Sequence, residues 1–127
     1  MAGFNMTAAE QEIPMLDVAE NFSANPGGRY SRHGSFSGEE FRQRVLAPLL
    51  KQAVEQDSIL RVRIDTVHRS YQSSFLDEAF GGLIRDCGFS ADQVAKHLDI
   101  VNESPRFEKY RALALSFIDA AARSTIH

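Results

Sequence analysis

The sequence predicts one α/β domain, built as a small mixed sheet with helices packed mainly on one face. Apolar and charged residues alternate over residues 60–65, apolar residues recur at helical spacing elsewhere, and strand-like and helix-like segments alternate along the chain. The alternation turns Arg61, Arg63 and Asp65 to one side of a strand, as expected where one sheet face lacks a covering layer. We expect a flexible tail over residues 1–12, the domain over 13–123 and a short tail over 124–127.

Composition argues against nucleic-acid and membrane partners. The chain has 127 residues, of which 43% are hydrophobic and 24% charged, enough for one modest core. Its net charge of -3 is unlike the basic excess of nucleic-acid binders, and it has no apolar run near the roughly 20 residues that span a bilayer. Cys87 is the only cysteine, which is typical of a reducing compartment. We therefore expect a cytoplasmic protein.

The first half of the chain predicts a strand, a loop and a helix. Residues 13–22 mix apolar and acidic side chains and indicate a first strand. Residues 23–38 are rich in Gly and indicate either a long loop or a pair of short strands around a turn. Ser37 and Glu40 have the spacing of a capping box, so a helix begins there. Pro48 lies inside this helix and is expected to kink it. The apolar stripe of the helix is Phe41, Val45, Pro48, Leu49 and Ala53.

A strand over residues 60–65 and a helix that opens on a Ser pair come next. Ser74 is expected to cap this helix, and the adjacent Asp77 and Glu78 to complement the positive end of its dipole. The helix runs to about Cys87 and stops at Gly88. A glycine pair at 81–82, in mid-helix, indicates a close-packing site.

The last third predicts a short helix, a strand and a long helix. Ser90 and Gln93 form a second capping box for residues 90–96, and residues 97–102 indicate a strand. Pro105 suits the first turn of the final helix. The side chains expected to be buried by that helix are Phe107, Tyr110, Ala114, Phe117, Ile118 and Ala121.

Four local motifs resemble a known family. They are PGGRY at residues 26–30, SGEEFR at 37–42, LAP at 46–48 and, the most specific, SSFLDEAFGG at 73–82. On these motifs the chain resembles the STAS-like domain family of unknown function over about residues 13–122. More distantly, residues 64–74 are similar to the core of STAS domains, the anti-anti-sigma factors, where an apolar strand ending in Asp leads to a Ser pair that opens a helix.

The resemblance implies a non-catalytic, regulatory protein-interaction domain of bacterial signalling. In the wider family the first Ser of the pair is phosphorylated by a partner kinase, which places the modification on Ser73, with Ser74 as the second candidate. Gln72 and Phe75 stand where the family motif has Asp and Gly. The implied partner is a histidine-kinase-like ATPase or an anti-sigma-type regulator. Association with a second copy of the chain, as a homodimer, is left as an alternative. The predicted partner surface is His68, Arg69, Tyr71, Gln72, Phe75, Asp77 and Glu78.

Simpler and alternative interpretations stand beside this one. Helix capping alone accounts for the Ser pair, and is the favoured explanation of it. The alternative function is a small-molecule or nucleotide-binding module that uses the Gly/Arg-rich loop 26–34 to hold a phosphate. The candidate residues of this loop are Gly27, Gly28, Arg29 and Arg32. A solvated basic face that pairs with Glu39 and Glu40 explains the same basic concentration, which is Arg29, Arg32, His33, Arg42 and Arg44.

The residue pattern indicates neither catalysis nor a metal site. The four His residues lack the i, i+4 spacing of helical metal ligands, and a single Cys cannot complete such a set. No nucleophile, base and orienting group occur in a recognisable arrangement. We therefore expect no catalytic residue, no metal and no cofactor.

Overall fold

A three-stranded parallel sheet lies at the centre of the computed structural model, which describes residues 13–124. The strands are β1 (Leu16–Asp17), β2 (Leu60–Arg63) and β3 (Leu98–Val101), in that order across the sheet. Leu16 pairs with Val62, and Leu60 with Leu98. The α/β class is confirmed, but the described sheet is parallel throughout rather than mixed. Helical crossovers join its strands and return the chain to the same end of the sheet.

Five helices and two short 3₁₀ turns complete the described part of the chain. Helix α1 is Val18–Asn21, α4 is Ala91–His97 and α5 is Glu108–Ser124, and the 3₁₀ turns are Ser31–His33 and Pro105–Phe107. Helix α2 (residues 38–55) consists of Gly38–Phe41, a π-helical turn at Arg42–Leu46, and Ala47–Glu55. Helix α3 (residues 73–85) consists of Ser73–Leu76, a π-helical turn at Asp77–Gly81, and Gly82–Arg85. No helix among the described residues is long and apolar enough to cross a membrane.

The helices cover one face of the sheet, as predicted. Leu60 and Val62 of β2 are fully buried, whereas Arg61 and Arg63 alternate with them on the side that carries charge. On that side Arg61 approaches Asp99 of β3, with 3.8 Å between Nε and Oδ2. The other face packs against the aromatic centre of the core, where the rings of Phe41 and Phe75 stack with centroids 5.8 Å apart.

The predicted first strand over residues 13–22 is wrong in most of its length. Only Leu16 and Asp17 pair with β2, and the chain then turns into α1. Asp17 explains the switch, because its carboxylate accepts a hydrogen bond from the Glu20 N–H and caps the helix. The Thr66 hydroxyl also donates to Asp17 and fixes it at the end of the sheet.

Helix α2 begins as predicted but accommodates its proline differently. Ser37 Oγ accepts from the Glu40 N–H at 3.0 Å, while the Glu40 carboxylate accepts from the Phe36 N–H, so the reciprocal half of the capping box is absent. The helix continues through Pro48, which is the second residue of a regular segment that follows the π-helical turn. The irregularity thus lies before Pro48, where the wider turn changes the backbone bonding.

The C-terminal helices and strand form where they were predicted, but fewer side chains of the final helix are buried than expected. The Ser90–Gln93 capping box is complete, with both hydrogen bonds at 3.0 Å, and β3 begins at Leu98. In the final helical region the buried residues are Phe107, Ala114 and Ala121. Tyr110, Phe117 and Ile118 are half-buried, which corrects the predicted list.

Candidate functional site

The Ser pair opens α3 but does not cap it. The N-cap is Gln72, with Ser73 and Ser74 as the first and second helical residues. Ser73 is exposed and Ser74 half-exposed, and neither hydroxyl bonds to another described residue. The predicted capping role of Ser74 is therefore wrong. Because the helix starts earlier than expected, the Ser74 hydroxyl already lies inside the first turn, beyond the position from which a cap bonds the next N–H groups.

The segment before the Ser pair is anchored at three points. The His68 N–H donates to the Ala24 carbonyl at 2.8 Å, and Arg106 donates to the Arg69 carbonyl at 2.7 Å. The buried Tyr71 hydroxyl donates to the Ile64 carbonyl at 2.7 Å. Burial, reinforced by nearby carboxylates, raises the pKa of Tyr71 far above its ordinary value. The segment is thus fixed against the core.

Only part of the predicted partner surface is on the surface. His68, Arg69 and Gln72 are exposed. Tyr71, Phe75 and Glu78 are buried, which removes them from that surface. Tyr71 and Phe75 turn toward the core, where Tyr71 bonds to the Ile64 carbonyl and Phe75 stacks on Phe41, whereas Glu78 is buried against Arg42 of α2. Asp77 is partly exposed and lies in an ion cluster.

That ion cluster joins Asp77 to two arginines from distant parts of the chain. Arg29 Nη1 donates to Asp77 Oδ2 at 2.9 Å, and Arg85 Nη1 donates to Asp77 Oδ1 at 2.8 Å. Burial disfavours the charged carboxylate, but the hydrogen bonds from Arg85 and Arg29 outweigh it and hold the pKa of Asp77 below its ordinary value. The predicted dipole role is thus replaced by ion pairing, because α3 begins four residues before Asp77 and its side chain faces the arginines.

Glu78 forms a buried ion pair with Arg42 of α2. The two side chains are 6% and 4% exposed, and Arg42 Nη1 lies 2.8 Å from Glu78 Oε2. Burial disfavours the charged guanidinium, but its hydrogen bond to Glu78 dominates and raises the pKa of Arg42. Arg42 therefore does not belong to the predicted solvated basic face. Arg44, which pairs with Glu40 and is 70% exposed, does.

The glycine pair of α3 is a close-packing site, as predicted. A Cβ on Gly82 would collide with the Arg42 guanidinium, and one on Gly81 would lie 2.6 Å from Arg85 Nη1. Two glycines in a helix cost about 1 kcal/mol each relative to alanine. The helix tolerates this cost at the two positions where guanidinium groups lie against it.

A polar cleft of about 650 Å³ opens beside the ion cluster. Loop 26–30, α2 and the C-terminal half of α3 form its walls. Its lining residues are Arg29, Tyr30, Glu39, Arg42, Gln43, Asp77, Glu78, Arg85 and Asp86.

Arg29 alone of the four predicted ligand-loop residues lines this cleft. Arg32 is exposed, and its guanidinium lies over the Tyr30 ring at 4.4 Å from the centroid. Gly27 and Gly28 hold the loop through backbone hydrogen bonds to Phe36 and Gly38. Sequence reasoning placed Arg42 in the basic concentration near this loop but missed Arg85, although the mid-helix glycines mark where both arginines pack.

The described residues contain no group of three or more His, Cys, Asp or Glu side chains able to hold a metal ion. Cys87 is exposed just beyond the end of α3. Two of the remaining polar side chains, Thr66 and Asp17, bond to each other at the ends of parallel strands and stabilise the start of α1.

Comparison with known proteins identifies a family. The profile of the STAS-like domain of unknown function matches residues 37–106, more than half of the chain and a narrower span than the expected 13–122. The match contains α2, β2, α3, α4 and β3, and with them the Ser pair. No curated protein and no solved structure matches the chain significantly. The chain belongs to the family of STAS-like domains of unknown function.

Proposed function

We propose that this domain is a non-catalytic regulatory module that acts through protein contacts and is switched by phosphorylation of Ser73. STAS-like domains are generally non-catalytic. The docking surface is the exposed part of the anchored segment and the start of α3, namely His68, Arg69, Ser70, Gln72 and Ser73.

One observation carries the proposal, which is the free hydroxyl of Ser73. Exposure makes it accessible to a kinase, and the absence of any bond to a described residue removes the capping role that would otherwise explain it. The three anchors of the segment hold the hydroxyl on a preformed surface, so a partner does not have to order it on binding.

The electrostatics around Ser73 suit a phosphate. A phosphoserine carries a charge of about -1.5 to -2, and the unpaired N–H groups of a helix first turn favour an anion. The nearest carboxylates along the helix, Asp77 and Glu78, are each paired with arginines and so repel a phosphate less than free carboxylates would. The exposed Arg69 lies in the same segment. A phosphate on Ser73 would therefore change the charge of the docking surface without opposing the fold.

The partner that fits is a kinase-type regulator, either a histidine-kinase-like ATPase or an anti-sigma-type protein. Such a partner binds the unmodified surface and is released when the phosphate adds charge and bulk to it. The proposal thus assigns one surface to both recognition and modification.

Purification of the full-length protein from its native cells tests the proposal, with intact mass analysis and fragmentation. We expect an adduct of about 80 Da, the mass of one phosphoryl group, located on Ser73 and absent from a Ser73→Ala variant. We also expect Ser73→Glu to lose the partner that the wild-type protein recovers.

Ser35→Glu is the matched control, since it adds the same charge to an exposed serine outside the docking surface. Loss of the partner with Ser73→Glu but not with Ser35→Glu supports a switch at Ser73. An unmodified protein, whose recovered partners are the same for wild type and Ser73→Glu, would overturn the proposal.

A further inference from the structure

The cleft beside the ion cluster holds more hydrogen-bond donors than the protein uses. Each carboxylate oxygen of Asp77 and Glu78 lies within 3.4 Å of an arginine nitrogen, so the acceptors are engaged. Arg29 and Arg42 bond to described residues through Nη1 alone. Each keeps Nε and Nη2 without a described partner, and Arg42 Nε is buried in that state. Three guanidinium groups lie among the engaged carboxylates of Asp77 and Glu78. Two further carboxylates, Glu39 and Asp86, line the cleft, and Asp86 Oδ2 lies 3.6 Å from Arg42 Nη1. The cleft is therefore distinguished by its unused donors and not by an excess of positive charge.

The backbone is specially built where this cluster forms. The π-helical turn of α2 begins at Arg42, and that of α3 begins at Asp77 and includes Glu78. Such turns occur frequently at functional sites. The glycine pair adds a second, independent sign, because side chains at Gly81 and Gly82 would displace the guanidinium groups of Arg85 and Arg42. Both features weaken regular helices at the point where the arginines converge.

We propose that this cleft binds the phosphoryl group of a small phosphorylated molecule through Arg29, Arg42 and Arg85. A carboxylate offers two oxygens in one plane, whereas a phosphoryl group offers three around a tetrahedron. It therefore matches the unused Nε and Nη2 donors of Arg29 and Arg42, which come from loop 26–30 and α2. Arg85 of α3, whose two Nη atoms donate to Asp77, adds only its Nε from a third direction. The volume of about 650 Å³ leaves room for the rest of such a molecule.

The walls of the cleft set the remaining chemistry of the ligand. The Tyr30 ring and the exposed Gln43 amide offer a flat apolar surface and a neutral hydrogen-bonding group. Glu39 and Asp86 line the rim with negative charge and disfavour a second anionic group at that edge. The ligand class is thus a phosphate monoester with an uncharged organic part. This site is separate from the Ser73 surface, so either proposal can fail while the other stands.

Titration of the wild-type protein with inorganic phosphate, against chloride at matched ionic strength, is the first test. Calorimetry is expected to give saturable binding for phosphate alone. Arginine side-chain N–H resonances in nuclear magnetic resonance spectra are expected to shift with phosphate and not with chloride. This arm needs no substitution, so it does not depend on whether a variant folds.

Arg29→Gln and Arg85→Gln are the test variants, because both side chains are partly exposed and sit at the cleft. Each is expected to weaken phosphate binding about tenfold, as the loss of one charge-assisted hydrogen bond implies. Arg44→Gln removes the same charge from α2 outside the cleft and is expected to bind as the wild type does. A wild-type protein that shows no saturable response to phosphate, or an equal loss of binding in Arg44→Gln, would overturn the inference.

Discussion

Removal of Arg42 is expected to destabilise the domain strongly, because it leaves Glu78 buried without its closest partner. Breaking a buried ion pair in this way costs about 3–5 kcal/mol. Two other guanidinium groups remain near Glu78 Oε1, with nitrogen atoms of Arg29 at 3.4 Å and Arg85 at 4.0 Å. They compensate part of the charge, so Arg42→Met should cost about 3 kcal/mol, the lower end of that range.

Urea unfolding measures this cost directly. With a slope of about 1.5 kcal/mol per molar urea, a loss of about 3 kcal/mol lowers the midpoint by about 2 M. Arg44→Met is the matched control, since its pair with Glu40 lies at the surface and should contribute less than about 1 kcal/mol. Replacing both partners, as in Arg42→Met with Glu78→Leu, should recover most of the loss, because no charge is then buried alone. A midpoint for Arg42→Met within the range of Arg44→Met would refute the reasoning.

Three further predictions concern the same region and the core. Gly82→Ala should lower the melting temperature, because the displaced Arg42 guanidinium outweighs the helix propensity gain of about 1 kcal/mol; a higher melting temperature would contradict this. The pKa of Asp77 is lower in the folded protein than in the unfolded chain. The contribution of Asp77 to the free energy of unfolding is therefore fully present above the unfolded pKa and is lost as the pH falls through the folded pKa. Unfolding free energies measured below about pH 4 should fall less steeply in Asp77→Asn than in wild type. Tyr71→Phe should lower the free energy of unfolding in urea by about 1–2 kcal/mol, since the buried Ile64 carbonyl loses its donor. When the wild-type protein is titrated to alkaline pH and followed by ultraviolet absorbance, Tyr71 should ionise only as the domain unfolds.

Local sequence signals predicted most of the helices and the uncovered sheet face. Ser37 and Ser90 each mark a helix start through a short-range hydrogen bond that needs no tertiary contact. The alternation around Arg61 and Arg63 likewise indicates that one face of the strand is solvated and the other is buried. These features depend on neighbours a few residues apart, which is why a single sequence displays them.

The ion cluster was beyond prediction for the opposite reason. Arg29 and Asp77 are 48 positions apart, and Arg42 and Glu78 are 36 apart, so their contacts depend on how loop 26–30 and α2 pack on α3. Sequence reasoning assigned these four charges to separate local roles, the two arginines to a basic concentration and the two carboxylates to the helix dipole. The glycine pair was a sequence feature that pointed to the cluster. It predicted close packing without identifying the two guanidinium groups that pack there.

The π-helical turn of α3 has a consequence for the phase of that helix. The buried positions advance by four residues at a time along two rows, Phe75, Ala79 and Leu83 beside Leu76, Phe80 and Ile84. An α-helix turns about 100° per residue, so each four-residue step overshoots a full turn by about 40°, and two steps would carry the rows well around the axis. The wider turn at residues 77–81 absorbs that drift and returns both ends of the helix to the same side. A strict spacing of four over two successive turns therefore fits a helix into which one extra residue is wound. Deleting that residue would rotate Ser73 and the core-facing rows relative to each other.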